Sequence, residues 1–161
     1  MAVDMFLTLD GIKGESQDKA HPGSIEVLSF SWGMSQTGAL GGSGAGRVSV
    51  HDISITKVTD SSTPQLMLSC ATGKHISSGI IAVRKAGEKP LEYLKIKLTD
   101  ILISSVQMGG SRSGTPSDGI TLDFNKAFFS IAPITPAGTL GTPFVVTIIN
   151  TEQGQVVTPP P

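Results

Sequence analysis

Apolar residues recur along most of this chain at a spacing of two. Val3, Met5, Leu7 and Leu9 alternate with Asp4, Phe6, Thr8 and Asp10. Segments 25–32, 53–58, 80–84, 94–98, 120–124 and 144–149 are similarly rich in β-branched or aromatic residues. Such alternation predicts strands with one face turned to a core. The apolar phase slips twice, between Val48/Val50 and Ile53/Ile55 and again between Leu98 and Ile101. A slip of one position requires a bulge or a sharp bend, because it would otherwise turn every following side chain to the wrong face. Bulged, strongly coiled strands suit a closed or nearly closed barrel, so the pattern predicts a mainly all-β fold.

One segment departs from the pattern. In SSTPQLMLSCATGK (61–74), Ser62 or Thr63 can cap a helix, Pro64 suits its first position, and Gly73 followed by Lys74 offers a stop. Leu66, Met67 and Cys70 fall at helical spacings, which predicts one short helix lying against the sheet with Cys70 in the contact.

Size and charge narrow the function classes. The chain has 161 residues, the size of one domain with one core. Its 12 basic and 13 acidic residues nearly cancel, and no long run of like charge supplies the phosphate-neutralising footprint of a nucleic-acid binder. The single Cys70 has no internal disulfide partner and no zinc-ligand spacing around it. At the start, MAVDMF carries Asp4 where an export signal would be basic, and no apolar run reaches the roughly 20 residues of a spanning helix. The expectation is synthesis in the cytoplasm, without a signal peptide and without membrane insertion.

The motifs nearest to known chemistry each lack a part. GGSGAGRV (41–48) approaches a phosphate-binding loop, but Arg47 stands where Lys is needed and Val48 where a magnesium-binding hydroxyl is needed. The next segment, RVSVHDISI, reads as a strand, so the helix N-terminus that would face a phosphate is missing. Cys70 and His75 lie five residues apart with a helix stop between them and no third orienting group. His21, His51 and His75 lack ligand spacing, and the carboxylates read as scattered through turns and outer faces. No catalytic constellation, metal site or cofactor is expected. Within 25–33, the alternation turns Leu28, Phe30 and Trp32 inward and Ser29 and Ser31 outward. Those serines fit an ordinary solvated face or a smooth, weakly charged wall.

Several blocks resemble the haemolysin-coregulated protein (Hcp) family. They are MAVDMF at the start, KGES-DK-H over 13–21, SWGMSQTG over 31–38 with a Gly-rich stretch after it, and STPQLM-SC-GKH over 62–75. VRKAG at 83–87, EYL-I-L at 92–98 and ISSV at 103–106 continue in the same order, and ITLDF at 120–124 is a last, weaker block. The resemblance implies two antiparallel sheets closing into a β-barrel with one short flanking helix. It further implies a homohexameric ring, stacking of rings into the inner tube of a type VI secretion system, and no enzymatic activity. On this reading the tube is driven out of the bacterial cell when its sheath contracts, and the partners are the chain itself, sheath, baseplate and tip proteins, and small effector proteins held in the lumen.

Carried onto this chain, the resemblance places Ser31, and beside it Ser29, on the lumen wall. It makes Gly38, Ala39, Leu40, Gly41, Gly42, Ser43, Gly44, Ala45, Gly46 and Arg47 an arm that reaches a neighbouring subunit or ring. A Gly/Ser-rich arm costs about 1 to 2 kcal/mol per residue to order, so docking must supply that energy, with Trp32 fixing the arm's root. Residues 1–150 are expected to form the single barrel domain and 151–161 a flexible Pro-rich tail. Two other readings fit the pattern: a phage-like contractile-tail tube protein, which shares this fold and ring logic, and a monomeric small-ligand-binding barrel.

Overall fold

In the computed structural model, residues 2–36, 48–87 and 90–150 are described, together with the backbone of 155–157. The elements run β1 (Val3–Leu9), β2 (Ile25–Ser31), β3 (Met34–Gln36), β4 (Val48–Val50), β5 (Ile53–Val58), α1 (Ser62–Thr72), β6 (His75–Lys85), β7 (Leu91–Ser111), β8 (Gly114–Ile131), β9 (Phe144–Ile149) and β10 (Gln155–Val157). Six strands pair in the order β8-β5-β2-β1-β6-β7, and β7 pairs back onto β8 to close the barrel. All of these pairings are antiparallel. β9 and β10 extend outward from β8, while β3 and β4 form a separate two-stranded hairpin.

The barrel interior is one contiguous apolar cluster. Leu7, Ile25, Ile53, Leu66, Ile81, Ile101, Leu122 and Ala127 are wholly buried within it. Each fully buried Leu or Ile contributes roughly 1.5 to 3 kcal/mol, so the alternation seen in the sequence is the main source of the fold's stability.

The slip between Leu98 and Ile101 belongs to a fault that crosses three strands. Gly79, Leu98 and Ala127 pair in one row and Ile76, Ile101 and Phe124 in another; all six face the core. Residues three apart on a regular strand face opposite sides, so β6, β7 and β8 each carry an out-of-phase step at the same level, which leaves their mutual register intact. On β7 the step is taken at Asp100, whose φ of 55° is the left-handed value. Gly79 lets the layers close there: a Cβ on it would stand 2.8 Å from Ile101 Cδ1 and 2.9 Å from Leu9 Cδ2. The earlier slip has another cause. Val48 and Val50 belong to the hairpin and Ile53 and Ile55 to the barrel, so the chain changes sheet at His51–Asp52.

Two expectations about facing are corrected. Leu28 does not join the core; it is 55% exposed. The β2–β5 register shifts between Val27 and Ser29, and this bulge expels Leu28 while restoring Phe30 and Trp32 to the inner side. Phe6, placed by alternation on the outer face of β1, is buried. The chain between β1 and β2 folds back over it: His21 stacks on the Phe6 ring at 4.5 Å, and the Arg84 guanidinium lies 5.0 Å from its centre. Arg84 also pairs with Asp18 and Asp4, and His21 with Glu92.

Helix α1 forms where the sequence indicates, and Gly73 ends it with φ 67°. Its start differs. Ser61 is the N-cap and its side chain makes no capping bond; Asp60 accepts from the Ser62 N–H at 2.9 Å while its own N–H donates to Thr63 Oγ1 at 3.1 Å. This reciprocal arrangement does the work of a capping box. Leu66 and Ser69 are buried against the barrel and Cys70 packs beside the core, whereas Leu68 is exposed.

The expectation that carboxylates keep to turns and outer faces fails at Asp118, which is buried. Lys57, at the third inward position of β5 after Ile53 and Ile55, is buried with it, their charged atoms 2.8 Å apart. Lys57 also donates to Asp60 at 2.9 Å and to Thr63 at 3.0 Å. Burial pushes the Asp118 carboxyl upward, but hydrogen bonds from Lys57, Thr63 and Thr59 outweigh it and hold the group below the usual carboxylate range. The network fastens the start of α1 to the barrel.

Candidate functional site

Because β2, β5, β8 and β7 are paired in register, their outward positions line up across the wall. Ser29 pairs with Thr56, Thr56 with Gly119 and Gly119 with Gln107. One step along, Ser31 pairs with Ser54, Ser54 with Thr121 and Thr121 with Ser105. Directly opposed residues share a face, so the two rows form a continuous uncharged strip of hydroxyls, one amide and one glycine. Ser29, Ser31, Ser54, Thr56 and Gln107 are exposed. The hydroxyls bond laterally: Thr121 Oγ1 lies 2.6 Å from Ser105 Oγ and 2.7 Å from Ser104 Oγ.

The structure thus brings Ser29 and Ser31 together on one open surface and adds partners that alternation along a single strand did not select. Their signal was available in the alternation of ISIT (53–56) and ITLD (120–123), where the small polar residues take the outward phase. The arm, Gly38 to Arg47, lies outside the described residues. Its root is described: β3 and β4 pair from Met34↔Val50 to Gln36↔Val48, and His51 N–H donates to Gly33 O at 3.1 Å. Just before this hairpin Trp32 packs against Phe129, ring centres 4.7 Å apart.

Open strand edges are the second feature. β7 pairs with β6 only as far as Leu102, so from Ile103 to Ser111 it has β8 on one side and, among the described residues, no strand on the other. Such an edge presents unpaired backbone donors and acceptors. Cys70 and His75 remain separate in role: Cys70 packs beside the core, and His75 Nδ1 lies 2.6 Å from Asp100 Oδ1 on the surface. Among the described residues, no three His, Cys, Asp or Glu side chains converge as a metal site.

Comparison with known proteins agrees with this architecture. The family described as "Type VI secretion system effector, Hcp" matches residues 6–130. The chain is 50% identical over 138 residues to Protein hcp1 of Pseudomonas aeruginosa, covering 83% of this chain and 85% of that protein. Among solved structures, Hcp1 from Salmonella typhimurium superposes with a TM-score of 0.78 at 31% identity, over 98% of this chain and 100% of that one. A type VI secretion system effector from Yersinia pestis gives 0.77 at 33% identity, over 91% and 100%. With the barrel, its flanking helix and the ordered sequence blocks in agreement, the chain belongs to the Hcp family of type VI secretion proteins.

Proposed function

We propose that this chain is a building block of the type VI inner tube, assembling as six-membered rings that stack around an open bore. The carrying observation is the uncharged hydroxyl strip across β2, β5, β8 and β7, set on a barrel of this family. A strip of short side chains without charge offers passing proteins neither a deep pocket nor a fixed ion pair, as a conduit requires. In the ring, Ser29 and Ser31 line the bore and the arm from Gly38 to Arg47 contacts a neighbouring subunit or ring. The edge of β7, open among the described residues, supports the same reading, since a contact repeated by rotation closes a ring while a head-to-tail contact between rings continues indefinitely.

The chain is made in the cytoplasm, leaves the cell when the sheath contracts, and carries or stabilises small effectors in its lumen; sheath, baseplate and tip proteins are its other partners. This role is structural rather than enzymatic. Negative-stain microscopy of the purified protein tests it, with rings enclosing a central hole as the expected image. Thr56→Arg, which sets a long cation beside Ser29, should preserve the rings and reduce retention of a co-expressed effector. Unchanged retention would remove the bore from this strip.

A monomeric ligand-binding barrel is disfavoured because the interior is filled by the core cluster. An open depression of about 620 Å³ lies between α1 and the turn at Gly11 and Ile12, at the edge of that cluster rather than within the barrel.

A further inference from the structure

Two carboxyl groups meet at a seam in the barrel wall. β8 changes neighbours along its length, pairing with β5 up to Leu122 and with β9 from Lys126 onward. Ile53 pairs with Leu122, so the next opposed positions are Asp52 and Asp123, and their side chains are within hydrogen-bonding reach of each other. Like charges directly opposite on antiparallel strands repel, and two carboxyl groups bond to each other only when one holds a proton. Each is fastened to a different element. Ser104 of β7 donates to Asp52 Oδ2 at 2.6 Å, and Asn150, at the end of β9, donates through Nδ2 to Asp123 Oδ1 at 3.0 Å. Asp52 follows directly on the hairpin root, where His51 N–H is bonded to Gly33 O.

We propose that Asp52 and Asp123 form a proton-gated clasp: one shared proton ties the root of the β3–β4 hairpin to the β8–β9 seam, and its loss loosens that root. The surroundings favour retaining the proton. Burial raises the Asp123 carboxyl above its usual range and the Asp52 charge adds to this, while the Phe124 N–H and the Asn150 amide offset only part. The small cavity beside Asp123 is lined also by His75 of β6, Asp100 of β7, and Asn125 and Asn150, with no Lys or Arg among the lining residues. The His75 ring is engaged by Asp100 at 2.6 Å, so among the described residues that line this cavity none offers a free cation to Asp123. Because the folded chain holds a proton that the unfolded chain releases, the clasp's stability is present at low pH and lost as pH rises through the folded-state value. The hairpin that leads into 37–47 is therefore held more firmly in acid than at neutral pH.

The test compares the full-length protein with Asp52→Asn, whose amide can donate permanently to Asp123. The expected result is a higher Tm than wild type at pH 7.5 and a gap that narrows as pH falls toward the unfolded carboxylate value of about 4. A gap of opposite sign, or one that does not change with pH, would overturn the proposal. Should the variant not fold, the wild-type protein decides by amide exchange at His51, corrected for the intrinsic rate. Protection that rises as pH falls from 7 toward about 4 supports the clasp, and protection that is flat or falling contradicts it.

Discussion

Lys57 Nζ and Asp118 Oδ2 lie 2.8 Å apart with neither side chain reaching solvent. Two charges withdrawn from water are tolerated here because each is also hydrogen-bonded: Lys57 to Val58 O, Asp60 and Thr63, and Asp118 to Thr59 and Thr63. Removing one partner leaves the other charged and unpaired inside the barrel, which typically costs about 3 to 5 kcal/mol. Lys57→Met or Asp118→Leu should each lose stability on that scale in urea unfolding. The double variant should lose clearly less than the sum of the two; simple additivity would mean that the pair is not the coupling element.

Acid should weaken the fold through a second group of carboxylates. Asp18 is held below its usual range chiefly by its hydrogen bond from Arg84. For Glu92 burial acts upward, and the bonds from His21 and Lys95 outweigh it. Groups lowered in the folded state contribute stability that is present above the unfolded value of about 4 and lost as pH falls through the lower folded value. Tm should therefore fall below about pH 4, and Asp18→Asn should flatten that fall while lowering Tm at pH 7. An equally steep acid limb in the variant would remove Asp18 from the account. The sign is opposite to that of the Asp52–Asp123 pair, so the two effects separate on the pH axis.

Close backbone approach sets a third expectation. A Cβ on Gly14 would meet Ser24 O at 2.5 Å and Ile25 Cα at 2.7 Å, whereas one on Gly109 would meet nothing within 4 Å. Gly14→Ala must push the returning chain off the start of β2, at a cost of about 1 to 3 kcal/mol typical of overpacking. Gly109→Ala should stay within about 0.5 kcal/mol of wild type, as open surface sites do. Equal effects in thermal unfolding would show that the approach at Gly14 relaxes without cost.

The barrel was legible because its inward residues are apolar at period two, and α1 because SSTPQLMLSCATGK breaks that period and ends on Gly73. Leu28 was misplaced because a bulge is a property of two strands in register, and neither strand alone reveals which residue will be expelled. Phe6 was misplaced for a related reason: its cover comes from His21 and Arg84, fifteen and seventy-eight positions away. Lys57 stood in the inward phase of ISITKV, so its burial was readable, but its partner Asp118 lies on another strand and gave no local sign. Ser29 and Ser31 were found by alternation, while Ser54, Thr56, Thr121 and Ser105 join them only through pairing.

Whether this barrel closes a ring with copies of itself is read most directly from the mass of the purified protein in solution, by light scattering coupled to size exclusion. A single species of six 16.7 kDa chains, about 100 kDa, is the predicted result. A sharp 16.7 kDa monomer at micromolar concentration would contradict it.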